Sequence, residues 1–239
     1  MGSSKVECLV LSFLSVAGEP QGAGVIREYL GGHGFRLGEA TVGRILKQLD
    51  NEGLVERIGF QGRVLSDAGR EHLERLLSVQ EKKESLRNFG QFLFTDEGTH
   101  VRDILVARRA LESEAAALAA EHATDEDLAS MERALREMEN LLASNRSMAV
   151  TDIRFHEAIS KASKNPIIET ALRVIRHGGQ DSSIVEKLRN TAGSVIGKDH
   201  REILEAICAR DSAKARMAMT NHLNNILGDL EYVEKNLKR

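Results

Sequence analysis

Apolar residues recur along this chain at helical spacing, with one short exception. Leu9, Leu11, Phe13, Leu14 and Val16 predict a buried helix over 6–16, ended by Gly18–Glu19–Pro20. Val25, Ile26 and Leu30 predict a second helix over 24–30, stopped by Gly31–Gly32. A third, over 39–51, turns Val42, Ile45, Leu46 and Leu49 inward and has Gly53 as its C-terminal stop. The exception comes next. Leu54–Val55–Glu56–Arg57–Ile58 and Arg63–Val64–Leu65 alternate like strands around the turn Gly59–Phe60–Gln61–Gly62. Three helices followed by a two-stranded ribbon make a winged helix-turn-helix.

Helical spacing then resumes. Ser66–Asp67 caps a helix with Leu73, Leu76 and Leu77, followed by the solvated charge run Gln80–Glu81–Lys82–Lys83–Glu84. Leu86, Phe89, Phe92, Leu93 and Phe94 are too few for a core of their own and are expected to dock on a neighbouring domain or a second subunit. Thr95–Asp96–Glu97–Gly98–Thr99 is a turn-rich break. Beyond it come an alanine-rich helix over 101–123 and one begun by Thr124, with Leu128, Met131, Leu135, Met138 and Leu142. A helix through Asp152 and His156 follows, then one begun at Asn165–Pro166, then two carrying His200 and His222. The fold class is mainly α: an N-terminal winged helix-turn-helix over 1–77, a connector over 78–100, and an all-α antiparallel bundle over 101–232.

Composition narrows the functions. With 239 residues, 41% hydrophobic and 29% charged, the chain has room for two modest domains. A formal net charge of −3 gives no global pull toward nucleic acid, so any DNA contact is local. The outward positions of the third helix, Thr41, Arg44, Lys47 and Gln48, supply such a patch, and Arg63 in the wing is placed to reach a phosphate or the minor groove. A winged helix that binds protein instead is the alternative. Cys8 and Cys208 stand in no metal or redox spacing, and there is no secretory or membrane-spanning pattern, so the expected compartment is the cytoplasm.

The candidate chemistry lies in the back half. Asp152 and His156, four apart, share a helix face with Phe155 and Ile159. His200 precedes the stripe Ile203, Leu204, Ile207, and His222 lies within Met219, Leu223, Ile226. A histidine beside an apolar stripe is no site by itself, as His122 after Leu118 shows. Here, however, a carboxylate and three histidines from three helices face one interior, and a divalent metal would satisfy all four. The ligand types suit Zn, Ni, Mn or Fe. Three uses stay open: a sensor, a helical metallohydrolase that activates water, and a purely structural metal in a dimerisation module. No further carboxylate is placed as a general base, so the expectation is not an enzyme.

Two resemblances add to this. Gly22–Ala23–Gly24–Val25–Ile26, Thr41–Val42–Gly43–Arg44–Ile45–Leu46, Leu49–Asp50–Asn51–Glu52–Gly53–Leu54, Gly59–Phe60–Gln61–Gly62–Arg63 and Asp67–Ala68–Gly69 resemble the winged helix of NrpR-type nitrogen repressors and of ribonuclease R. Arg108–Arg109–Ala110–Leu111–Glu112, Asp152–Ile153–Arg154–Phe155–His156, Asp199–His200–Arg201–Glu202–Ile203–Leu204 and His222–Leu223 resemble the FCD ligand-binding domain of GntR-type regulators. That second resemblance implies a metal held by Asp152, His156, His200 and His222, with coordination positions open to a small carboxylate or hydroxycarboxylate effector. It also places Arg108 near the effector, where its alternative is a salt bridge to Glu112. The expectation is a homodimeric regulator of double-stranded operator DNA. The family usually carries a GntR-type head, so operator geometry does not carry over.

Overall fold

The computed structural model describes residues 2–93, 100–179, 182–192 and 198–237. Contacts divide the chain into two compact units, residues 1–88 and 89–239. The first holds α1 (Gly2–Ala17), α2 (Ala23–Gly32), α3 (Glu39–Asn51), β1 (Val55–Ile58), β2 (Gly62–Leu65) and most of α4 (Asp67–Leu93). Its core is built from Val10, Leu11, Ile26, Leu30, Val42 and Leu46, all fully buried. Two expected core residues face out: Val16 is 85% exposed and Val25 49%. Helical geometry explains both. Val16 lies about 200° around the helix from Leu14, and Val25 about 100° from Ile26, at 100° per residue.

The wing is a hairpin in which Val55 pairs with Leu65 and Ile58 with Gly62. Its outer strand is also tied to the loop before α2, since Gln21 and Arg63 exchange backbone hydrogen bonds of 2.9 and 3.0 Å. Gly62 (φ 134°) permits this approach, because a Cβ there would lie 2.3 Å from the Gln21 carbonyl oxygen. Ser66 caps α4 by accepting from the Gly69 N–H at 2.9 Å. No break falls at Leu77, where the sequence pattern ends the head; α4 continues to Leu93. Leu77, Leu86, Phe89 and Phe92 are exposed, whereas Leu93 is buried with Ile104 and Ile175. Phe94 and the break at Thr95–Thr99 fall outside the described residues.

The second unit is a helical bundle: α5 (Val101–His122), α6 (Asp125–Ala143), α7 (Ala149–Ala162), α8 (Pro166–Gly179), α9 (Ser182–Ala192), α10 (Lys198–Cys208) and α11 (Ser212–Leu237). The alanine face of α5 (Ala115, Ala116, Ala119, Ala120) is fully buried in the same core as Ala215, Met219 and Leu223 of α11, and small side chains let the two helices approach closely. The sequence pattern does not mark α9. It contributes Val185 and Leu188 inward, with a buried Arg189, too little apolar periodicity to stand out. No helix among the described residues is long and apolar enough to cross a membrane.

Helix α6 starts with a capping box: Thr124 Oγ1 accepts from the Asp127 N–H, and Asp127 Oδ2 accepts from the Thr124 N–H. Lys164 Nζ reaches the same carboxylate at 2.5 Å. Burial would raise the Asp127 carboxyl, but Lys164 and Thr124 outweigh it and hold it at about 2. Asp127→Asn is therefore expected to lower stability at neutral pH by about 1 kcal/mol. The sign follows from a folded pKa below the unfolded one: the difference is complete above about pH 4 and fades as pH falls toward 2. Urea melts of wild type and variant across that range check it.

Gly69 gives a sharper test in the head. A Cβ there would lie 1.9 Å from the Leu54 carbonyl oxygen, a backbone atom that cannot swing aside. Gly69→Ala is expected to destabilise the head by about 1–3 kcal/mol in chemical unfolding; a wild-type transition would show that α4 is free to shift.

Candidate functional site

Helix α7 turns Asp152, Phe155, His156 and Ile159 inward from consecutive turns, while α10 and α11 bring His200 and His222 to the same place. The three imidazoles are at most 2% exposed, and each offers a nitrogen within 4.8 Å of those of the other two. Their ring centroids are 5.4, 5.2 and 4.5 Å apart. Asp152 Oδ1 lies 2.9 Å from His200 Nε2 and 3.6 Å from His156 Nε2. All four sequence-predicted residues thus meet in one buried volume.

In two of the three imidazoles the second nitrogen is backed by a carboxylate. His156 Nδ1 sits 2.6 Å from Glu112 Oε2, and His222 Nδ1 lies 3.4 Å from Asp199 Oδ2. Glu112 also accepts from Arg108 Nε at 2.7 Å and from Arg176 Nη2 at 2.6 Å, and Arg176 Nη1 approaches Asp152 Oδ2 at 3.8 Å. Asp199 in turn accepts from Arg189 Nη2 and Asn225 Nδ2, each at 3.2 Å. Periodicity did not single out Arg176, Arg189 or Asp199. The available signals were modest: Arg176 follows Leu172 by one turn of the buried stripe, and Asp199 adjoins His200. Arg108, expected near an effector, is buried and paired with Glu112.

Electrostatics favour the neutral form of His200 and His222 and the ionised form of Glu112 and Asp152. Burial pushes His222 down to about 3, reinforced by the neighbouring His200 and His156. Burial also lowers His200, opposed in part by Asp152. Burial alone would raise Glu112 and Asp152. Arg108, Arg176 and His156 hold Glu112 well below its ordinary value, and His156 and His200 do the same for Asp152. Neutral imidazole and carboxylate are the forms that ligate a cation. His156 Nε2, His222 Nε2 and His200 Nδ1 are buried with no hydrogen-bond partner. Such orphans are costly in a dry interior. Carboxylates behind two of the imidazoles are the usual arrangement around metal-bound histidines, so the residues present fit a divalent ion.

On the opposite face of α7 lies a groove of about 540 Å³. Its wall includes Arg154, Ser160, Lys161, Leu172, Arg173 and Arg176. Arg176 therefore belongs both to the groove and to the polar cluster. In the head, Arg44, Lys47 and Gln48 are exposed on α3 and Thr41 is half-buried, with Arg44 donating to Thr41 Oγ1 and Gln48 to Glu52 Oε1. Arg63 is engaged: its Nε and Nη2 both donate to Asp50 Oδ2, at 2.8 and 2.6 Å.

Comparison with known proteins matches residues 103–225, the segment holding all four clustered residues, to the FCD domain. The chain belongs to the FCD-domain family. Its helical half is that of a GntR-type regulator, and residues 8–73 match the ribonuclease R winged-helix domain. The transcriptional regulator LutR of Bacillus subtilis is 27% identical over 217 residues, covering 85% of this chain and 90% of LutR. The repressor NanR of Salmonella newport is 28% identical over 198 residues, 80% of this chain and 71% of NanR. The head is 38% identical over 72 residues to the global nitrogen regulator NrpR of Methanococcus maripaludis, which is 30% of this chain and 13% of NrpR. A GntR structure from Streptococcus agalactiae aligns with a TM-score of 0.48 at 19% identity, covering 94% of this chain and 98% of that one.

The Glu112 cluster makes its own prediction for this FCD domain. Glu112→Ala would leave Arg108 and Arg176 buried without their shared counter-charge, and a loss of about 3–5 kcal/mol in urea unfolding of the helical unit is expected. A change below about 1 kcal/mol would mean that water screens the cluster as it does a surface pair.

Proposed function

We propose that the chain is a DNA-binding transcriptional regulator, not an enzyme, whose operator affinity is set by a small carboxylate or hydroxycarboxylate. The effector acts at a divalent metal held by Asp152, His156, His200 and His222. One observation carries this reading: three buried imidazoles from α7, α10 and α11 converge with unsatisfied nitrogens, two of them backed by carboxylates. When bound, the metal supplies a cross-link between three helices and a Lewis-acidic position for an effector carboxylate. Zn, Ni, Mn and Fe all suit the donors.

The chain's own residues do the rest. Arg176, shared between the groove and the Glu112–Asp152 cluster, gives an anionic effector a cation to displace or recruit. Any shift of Arg176 alters the charges that orient Asp152 and His156, so effector binding favours one packing of α7 and α8 over another. Glu112 is already committed to Arg108 and Arg176, which argues against its serving as general base in a metallohydrolase. The head reads operator DNA through Thr41, Arg44, Lys47 and Gln48 of α3 and Arg63 of the wing, which also braces the hairpin; two copies act as a homodimer in the cytoplasm. The same assignment divides the chain into a winged helix over 1–77, a connector over 78–100 and a sensor over 101–232. Arg108 reaches the effector only if it releases Glu112.

Two measurements test this. Saturating Zn or Ni, at about 100 times its Kd, is expected to stabilise the metal-stripped protein by about 2.7 kcal/mol, and His222→Ala is expected to abolish the effect. Fluorescence anisotropy on DNA upstream of the chain's own gene is expected to show salt-sensitive binding that one member of a carboxylate panel alters only when metal is present. Equal effector responses with and without chelator would sink the metal-dependent part.

A further inference from the structure

The head of this chain is electrically balanced. Residues 1–88 contain twelve Lys and Arg against twelve Asp and Glu. Net charge therefore gives the head no long-range pull toward a duplex, and phosphate neutralisation falls to individual side chains. One of these, Arg63, is engaged within the head, with its Nε and Nη2 donating to Asp50. A head with no net positive charge gains from a contact of another kind.

The wing tip offers one. Phe60 is the most exposed large apolar residue among the described residues, with a relative exposure of 103%. A lone exposed apolar side chain calls for no explanation by itself. What sets Phe60 apart is how firmly it is presented. The turn that carries it uses Gly59 and Gly62, both at positive φ, and Arg57 Nε donates to the Gly59 carbonyl at 3.0 Å. The strand leaving the turn is pinned on two sides, through Gln21 by backbone hydrogen bonds and through the Arg63–Asp50 pair to the last turn of α3. The phenyl ring thus projects from a braced hairpin that is tied directly to the helix reading the major groove. A rigid mount matters, because an inserted side chain gains affinity only when little ordering is left to do.

We propose that Phe60 is an apolar wedge that the wing delivers to the minor groove of the duplex whose major groove receives α3, inserting at a base step rather than contacting phosphate. Side chains of this type part neighbouring bases and bend the duplex. This inference rests on the DNA-binding reading above and adds the contact that compensates for a neutral head. Flexible pyrimidine–purine steps are the natural targets, because they unstack at least cost.

The test uses the full chain and the duplex upstream of its own gene, with anisotropy titrations at several salt concentrations. Phe60→Ala is expected to raise Kd about ten-fold or more. Its log Kd against log salt line should run parallel to that of wild type, because no counterion release is lost. Phe60→Trp should restore most of the affinity. Lys47→Ala should behave in the opposite way, reducing the salt slope by about one. Since Phe60 buries nothing, the thermal melt of Phe60→Ala should match wild type, which separates a contact effect from unfolding. Wild-type affinity in Phe60→Ala would overturn the inference while leaving the DNA reading standing. The same result with weakened self-association in sedimentation would reassign Phe60 to a protein contact. If the wild-type chain bound no duplex, the DNA reading would fall and the wedge with it.

Discussion

The carboxylate of Glu112 is the point on which the helical half depends. A buried anion is tolerated only where cations and hydrogen bonds replace its water. Arg108 supplies one cation from the preceding turn of α5, Arg176 another from α8, and His156 of α7 closes the remaining side. Three helices are thereby held by one side chain, and their apolar faces are brought into a fixed register. The same contact decides which way His156 points. With Nδ1 against Glu112, its Nε2 is left toward the interior, 3.6 Å from Asp152 Oδ1.

A second arrangement of the same kind stands across the cluster. Asp199, held by Arg189 and Asn225, sits behind His222 Nδ1 and leaves His222 Nε2 unsatisfied. Between the two, Asp152 meets His200 and His156 from the first turn of α7. Carboxylates on the outside and imidazole nitrogens on the inside form a donor pattern that a divalent ion would complete. Arg176 links this pattern to the groove behind α7 and gives the proposed effector response a physical path of one side chain.

The head is organised by backbone approach rather than by buried charge. Gly62 and Gly69 stand where a Cβ would strike the carbonyl oxygens of Gln21 and Leu54, so the wing, the loop before α2 and the start of α4 close on one another. Arg63 illustrates the consequence. In sequence it is a wing cation suited to DNA, and in the folded head it also braces β2 against α3.

The succession of helices, the single hairpin, the extent of α3 and the candidate quartet Asp152, His156, His200 and His222 were legible in the sequence by itself. Each is a local pattern: spacing of apolar residues, a capping or stopping residue, or a polar residue set into an apolar stripe. Where local pattern was thin the sequence misplaced or missed structure. Val16 and Val25 lie on the outward side of their helices, α4 runs straight through the charged segment, and α9 carried too few apolar residues to show. What only the tertiary structure decided was pairing. Arg176 meets Glu112 across 64 residues, His200 meets Asp152 across 48, and Arg63 meets Asp50 across 13. No periodicity encodes such partners, because they depend on how separate helices and strands are brought together by burial of their apolar faces. That packing chose which charges are sealed inside and which remain free to meet a ligand.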